Sequence, residues 1–335
     1  MAAMQDVSFA RPTVVEDSLE QHRAELTAYC YRMLGSIEAE DAVQETLFRA
    51  WRGLDRFEGR AALRSWLYRI ATNVCLDLLE SRKRRARPMD LGPASEPIAE
   101  NLKVPELAWV EPMPDSRLVP EGDPVETIVA RETIRLAFVA ALQHLPPRQR
   151  AVLILREVLR WRAAEVAELL DTSEASVNSA LQRARATLEA SNVTTDAHLS
   201  VDAADAELLA RYVDAFERYD MDTLTALIHE DATQSMPPFD MWLNGRDDIL
   251  SWWVGPGAGC RGSRVIPTVS ANGAPAFGQY KPSESGHGYE PWALQVIEVE
   301  DDRIVEFTFF LDTQTLFPVF GLPARLDGGA RPTTA

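Results

Sequence analysis

Between residues 171 and 188 the chain places Ser176, Asn178, Ser179, Gln182, Arg183 and Arg185 on one side of a helical pattern, and Val177, Leu181, Ala184 and Leu188 on the other. The apolar set recurs every three to four residues, the spacing of a buried stripe. The polar set offers hydroxyls, carboxamides and guanidiniums, the groups that read base edges and hold phosphates. Asp171-Thr172-Ser173 breaks the pattern, and Ser173 can N-cap the helix by accepting from an orphan amide. Upstream, Ala163 to Leu170 puts Val166, Ala167 and Leu170 on one face. Two short helices around a tight polar turn describe a helix-turn-helix with a recognition helix. Taken alone, the segment also fits a helical hairpin with a solvated face.

Three other groups of residues could bear chemistry. Asp41, Gln44 and Glu45 share a helix, where carboxylates and an amide suit a basic partner surface or simply water. Arg82, Lys83, Arg84 and Arg85 end a long helical pattern that also carries Arg69 and Asn73; these residues fit phosphate contact or a solvated helix end. In the last third, His229, Asp231, Asp240, His287 and Tyr289 could act as general bases, but no spacing among them fixes a reacting pair. Cys30, Cys75 and Cys260 are far apart and in no metal-ligand spacing, so reduced thiols, no metal and no cofactor are expected.

The elements that position these residues fall into blocks. Residues 16–87 read as helices: an amphipathic run through Leu19, His22, Leu26, Tyr29, Cys30 and Met33, a break at Gly35-Ser36 with Ser36 as N-cap, and a helix with Ala42, Val43, Thr46, Leu47, Ala50 and Trp51 inward. A helix from about Ala61 to Arg85 follows. Residues 88–124 hold eight prolines and read as an extended linker. It contains Trp109 and Pro112, and a Trp in such a linker docks on something. Residues 125–190 are helical, with Pro146-Pro147 between helices at 127–144 and 148–160. From 204 to 325 a helix precedes strands at Ala232–Met236, Val265–Ala271, Ala276–Tyr280, Ala293–Glu300 and Arg303–Phe310, the last two joined at Asp301-Asp302.

Charge is unevenly spread. Of a net −17, residues 1–200 hold 25 Lys and Arg against 30 Asp and Glu, whereas residues 201–335 hold 9 against 21. Within 51–100 the balance reverses to 10 basic against 7 acidic. Local basic faces, not the total, govern phosphate contact. No run of about 18 apolar residues exists and the N-terminus has no basic start before an apolar core, so neither a membrane span nor a signal peptide is expected, and the cytoplasm is the expected compartment.

DAVQETLFRAW (Asp41 to Trp51) and LRSWLYRIATNVCLDLL (Leu63 to Leu79) resemble region two of the extracytoplasmic-function branch of the sigma-70 family. LPPRQRAVLILREV (Leu145 to Val158) and the helix-turn-helix resemble region four. LIHEDATQSMPP (Leu227 to Pro238), WLNGRDDI (Trp242 to Ile249) and LFPVFGLPARL (Leu316 to Leu326) resemble a SnoaL-like domain. The implied fold is multidomain: two all-α helical sigma domains joined by a Pro-rich linker, plus a C-terminal α+β cone-like SnoaL domain.

The resemblance implies a sigma factor with no covalent chemistry of its own. Its partners would be the RNA polymerase core, through the β′ clamp and β flap, and promoter DNA, duplex and melted. Asp41, Gln44 and Glu45 would meet the clamp. Arg69, Asn73, Arg82, Lys83, Arg84 and Arg85 would engage the −10 region, with Trp66 and Tyr68 either there or in the core. Ser176, Asn178, Ser179, Gln182 and Arg183 would read the −35 element. Trp109, Pro112, Phe320, Gly321, Leu322 and Pro323 would make regulatory contacts of the SnoaL-like domain. A small-molecule cavity lined by Met236, Phe239, Trp242, Trp252, Trp253, Tyr280 and Trp292 is a further expectation, against which these residues fit an ordinary core. Two rivals stay open: a ligand-responsive helix-turn-helix regulator that acts without polymerase, and a cyclase- or isomerase-like enzyme with a helical appendage.

Overall fold

The computed structural model describes residues 18–54, 57, 62–80, 85–119, 132–190 and 203–327. Its chain divides into two compact units: residues 1–82, 117–122 and 142–191 form the first, and residues 83–116, 123–141 and 192–335 the second.

The first unit opens with α1 (Arg23–Leu34), α2 (Ala39–Gly53) and α3 (Leu63–Glu80). Gly35 stops α1 because its φ of 66° is left-handed, which lets its amide return to the Tyr31 carbonyl at 2.7 Å. Ser36 does not cap α2 as expected: its hydroxyl accepts from the Glu38 amide inside the turn, and α2 begins later, at Ala39. Ala42, Val43, Thr46, Leu47 and Ala50 are buried as the pattern required, but Trp51 is not; it stands 54% exposed. The run of helical periodicity continued one residue too far, because position 51 has already rotated off the inner stripe. Within the second unit the chain forms β1 (Arg85–Ala86), pairing in parallel with β2 (Ala108–Trp109). The short helix α4 (Asp115–Leu118) and α5 (Leu136–Gln143) lie at the boundaries between units.

Back in the first unit, α6 (Pro147–Leu153) starts with proline at its first position, where no amide is missed. It runs on into a π-helical turn at Ile154–Val158. The helix-turn-helix consists of α7 (Ala163–Leu169) and α8 (Glu174–Ala190). Ser173 caps α8, accepting from the Ser176 amide at 3.2 Å, as expected.

The second unit is built on a six-stranded sheet. α9 (Ala203–Arg218) and α10 (Met221–Leu227) precede β3 (Ile228–Ser235) and β4 (Trp242–Asn244); α11 (Arg246–Val254) leads to β5 (Arg264–Pro267), β6 (Ala276–Pro282), β7 (Tyr289–Glu300), β8 (Arg303–Phe310) and α12 (Thr313–Val319). The order is β4-β3-β8-β7-β6-β5, with β3 and β8 parallel and every other pair antiparallel. Asp301 and Asp302 turn the β7–β8 hairpin with φ of 47° and 58°, the left-handed pair that a tight two-residue hairpin needs. α9 lays Tyr212 and Phe216 against Trp253, Phe277 and Phe307, with ring centroids 5.4 to 6.4 Å apart across this cluster. Such aromatic packing dominates a core of this size.

Candidate nucleic-acid interface

The recognition helix presents what its sequence promised. Val177, Leu181 and Ala184 are buried, while Ser176, Asn178, Ser179, Gln182 and Arg183 are all exposed. Arg183 reaches back to the Ser179 hydroxyl at 2.6 Å, and Arg185 pairs with Glu157 at 2.6 Å. Exposed pairs of this kind are weak and open for a stronger partner. α7 seats the module through Val166, Ala167 and Leu169; Leu169 takes the buried place expected of Leu170.

On α2, Asp41 and Gln44 are exposed and Glu45 is half-exposed, its carboxylate 2.6 Å from Arg49. The same side carries Phe48, 50% exposed, and Trp51, with the Arg52 guanidinium 5.6 Å above the Phe48 ring. Two exposed aromatics thus stand among carboxylates on one helix face. The sequence held a signal for them, since positions 41, 44, 48 and 51 share one face, but hydrophobicity pointed Trp51 inward.

Along α3, Arg69 and Asn73 are exposed, and the Arg69 guanidinium donates to the Glu168 carbonyl at 2.9 Å. Tyr68 is core: it is fully buried, 5.1 Å from Tyr29 in ring centroid. Trp66 packs on Phe57 at 5.0 Å and covers Gly53. Arg82, Lys83 and Arg84 lie outside the described residues. Arg85 does not extend the helix as a phosphate ligand: it sits in β1, giving hydrogen bonds to the Trp109 carbonyl at 2.7 Å and Glu111 at 3.1 Å. Parallel pairing with β2 takes its backbone out of the helix.

The proline-rich segment is not a free linker within the second unit. Met113 is fully buried, its amide donating to Asn272 Oδ1 at 2.9 Å while the Asn272 amide returns to the Met113 carbonyl at 3.2 Å. Asn272 Nδ2 also donates to the Ile134 carbonyl. The Gly273 amide donates to Asp115 at 2.7 Å, and Trp242 Nε1 donates to the Gly92 carbonyl at 3.0 Å. Trp109 and Pro112 are buried. At the other end of the unit, Phe320 and Leu322 pack down, the Phe320 carbonyl accepts from Thr268 at 2.7 Å, and the Pro323 carbonyl accepts from Tyr280 at 2.8 Å. Gly278 leaves the space that Leu322 fills, and Gly321 turns the tail with φ of 67°.

The residues considered for chemistry in this unit do not converge. His229, half-buried, and Asp231, exposed, both sit on β3, where His229 accepts from the Asp231 amide, whereas His287 is exposed in the turn between β6 and β7. The aromatic residues considered for a cavity have different surroundings. Trp253 belongs to the core, Tyr280 packs on Phe317 at 5.1 Å, and Trp292 is 39% exposed under the Lys281 ammonium. The interior polar groups satisfy one another: Tyr212 donates to Gln295 at 2.9 Å, Gln295 to Gln279 at 3.0 Å, Gln279 to Ser263 at 3.1 Å, and Trp253 to Gln234 at 2.7 Å.

Models of sigma-70 region 2, sigma-70 region 4 and a SnoaL-like domain match residues 19–85, 135–188 and 209–307. The ECF RNA polymerase sigma factor SigG of Mycobacterium tuberculosis H37Rv is 47% identical over 313 residues, covering 92% of this chain and 83% of the relative. The ECF RNA polymerase sigma factor SigJ of the same strain is 31% identical over 302 residues, covering 86% and 88%. The crystal structure of M. tuberculosis extracytoplasmic function sigma factor SigJ has the same fold, with a TM-score of 0.57 at 24% identity over 92% of this chain and 99% of that one. Among the described residues no helix is long and apolar enough to cross a membrane. With both sigma regions and the SnoaL-like domain in this order, the chain belongs to the extracytoplasmic-function sigma factors that carry a C-terminal SnoaL-like domain.

Proposed function

We propose that the chain works in the cytoplasm, bringing core RNA polymerase to its promoters through the exposed α2 face and reading the −35 element through α8. The observation that carries this reading is the coexistence of a bare aromatic and carboxylate face on α2 with an exposed polar face on α8. Asp41, Gln44, Glu45, Phe48 and Trp51 form the polymerase face; Ser176, Asn178, Ser179, Gln182 and Arg183 form the reading face; Arg69 and Asn73 engage the −10 region. The SnoaL-like domain does no chemistry of its own, since His229 and Asp231 on β3 and His287 in the turn before β7 form no shared site. It acts in cis by holding the proline-rich segment in a clasp at Asn272. A regulator acting without polymerase has no use for the α2 face.

Transcription by core polymerase from the host's own upstream region tests both parts. Promoter-specific transcripts that require the chain support the sigma reading, and no transcript with no polymerase association discards it. The Asn272→Ala chain, which loses the clasp, is expected to change transcript yield at least threefold. A yield unchanged in either direction discards control through the clasp.

A further inference from the structure

We propose that Cys260 and Lys281, side by side where the turn before β5 meets β6, form a capture site for a small aldehyde, which both side chains bond at one carbon. The inference goes beyond the polymerase reading and does not depend on it. Capture is stoichiometric and turns nothing over.

The other two cysteines show what an inert thiol looks like in this chain. Cys30 and Cys75 are fully buried, and the Cys75 thiol is pushed well above its ordinary range, first by its hydrogen bond with Cys30 and next by burial. Cys260 is only half-buried. It ends a 3-10 turn at Pro256–Cys260, in a stretch where positions 255, 257, 259 and 262 are glycines with no side chain to cover the sulfur. Its backbone is nevertheless held. The Cys260 carbonyl accepts from the Ser263 amide at 3.1 Å, and the Arg261 guanidinium lies 4.9 Å over the Tyr219 ring.

Lys281 reaches the same sulfur from β6. Its side chain hydrogen-bonds Cys260, and its nitrogen stands 3.1 Å from the centroid of the Trp292 ring. A Cβ built at Gly259 would have this nitrogen as its nearest neighbour, at 3.9 Å, so the glycine keeps the approach open. Burial holds the Lys281 ammonium below the ordinary lysine range, against the opposing pull of Cys260. A desolvated lysine holds more of the neutral amine, the form that attacks a carbonyl carbon. Tyr212 and Tyr219 also lie near the sulfur, but their hydroxyls donate to Gln295 and to the Trp253 carbonyl, which leaves Lys281 as its nucleophilic partner.

An aldehyde suits such a pair because its carbon can take both nucleophiles in turn. The Lys281 nitrogen gives its lone pair to the carbonyl carbon, and the C=O π pair moves to oxygen, which takes a proton. Water leaves and an imine remains. The Cys260 sulfur then bonds the same carbon, the C=N π pair closes on nitrogen, and the thiol proton passes there. One amine, one aldehyde and one thiol give one N,S-acetal and one water, with nothing oxidised or reduced. A lone amine releases its imine to water; the thiol already hydrogen-bonded beside it closes the adduct.

Dilute formaldehyde added to the full chain is the probe, since it joins an amine to a thiol through one methylene. Lys281 is one of three lysines in the chain, and exposed Lys103 serves as the internal control. Peptide mapping is expected to show a methylene link between Cys260 and Lys281 that forms at least about tenfold faster than any adduct on Lys103, the modest end of what held nucleophiles gain. Cys260→Ser should abolish the link and bring Lys281 down to the rate of Lys103. Lys281→Arg, which keeps a cation on Trp292, should leave Cys260 unlinked. Equal adducts on Lys281 and Lys103 with no link to Cys260, or a Lys281 link made elsewhere, overturn the capture site. The parent map alone decides this, so a variant that misfolds does not blunt the test.

Discussion

Polar residues do opposite work in the two units. On α8 of the first unit, Asn178 and Gln182 are exposed, with no long-range partner among the described residues. Inside the second unit Gln234, Gln279 and Gln295 are at most 1% exposed and are bonded to their neighbours. Carboxamides turned to water are available to a ligand; carboxamides locked in a closed chain specify a fold, because each lost partner leaves a buried group unsatisfied. The comparison explains how one chain can combine an exposed polar helix face with a domain whose carboxamides are locked inside.

The comparison breaks if binding and stability do not separate. Phe48→Glu together with Trp51→Glu is expected to weaken association with core polymerase by about 30-fold or more, the size of a lost hot spot, and to leave the melting temperature unchanged. Gel filtration with core polymerase and a thermal melt measure the two; a lower melting temperature with intact association would reverse the assignment. Gln295→Ala should do the contrary. It strands the Tyr212 hydroxyl and the Gln279 carboxamide and opens a small void, at a cost of about 3 kcal/mol, with core association intact. A melt of Gln295→Ala within error of the parent would show that the interior chain of bonds is dispensable.

The smallest effect sharpens the comparison by pH. Glu306 faces Glu298 directly across β7 and β8. Its carboxyl is held above the ordinary range, first because burial strips its water and next because of Glu298, with Arg87, Thr308 and Arg135 offsetting part of this. A carboxyl raised in the folded state binds its proton more tightly there than in the unfolded chain. Stability is therefore lost as pH rises from the ordinary value of 4.5 toward the raised one. Glu306→Gln should melt higher at neutral pH by no more than about 4 °C, and the gain should vanish below pH 4.5. A gain that persists unchanged at low pH would mean that packing, not charge, accounts for it.

By itself the sequence determined the elements and their inner faces wherever periodicity alone decides them. The α8 stripe, the Ser173 cap, the β7–β8 hairpin and the two helical blocks follow from local spacing and from turn residues that tolerate left-handed backbone. Local pattern is blind to what a face meets. It put Trp51 inside, because an apolar residue beside a buried stripe reads as part of it. It made Arg85 the end of a phosphate-binding helix, although a strand partner 23 residues away claims its backbone. It read residues 88–124 as extended chain, since prolines carry no periodicity and the clasp at Asn272 comes from beyond residue 270. The seating of Arg150 on the end of α1 was invisible for the same reason: besides Gln143 and Leu145 nearby, its guanidinium bonds the Met33 carbonyl 117 residues away, and only long-range packing could show that contact.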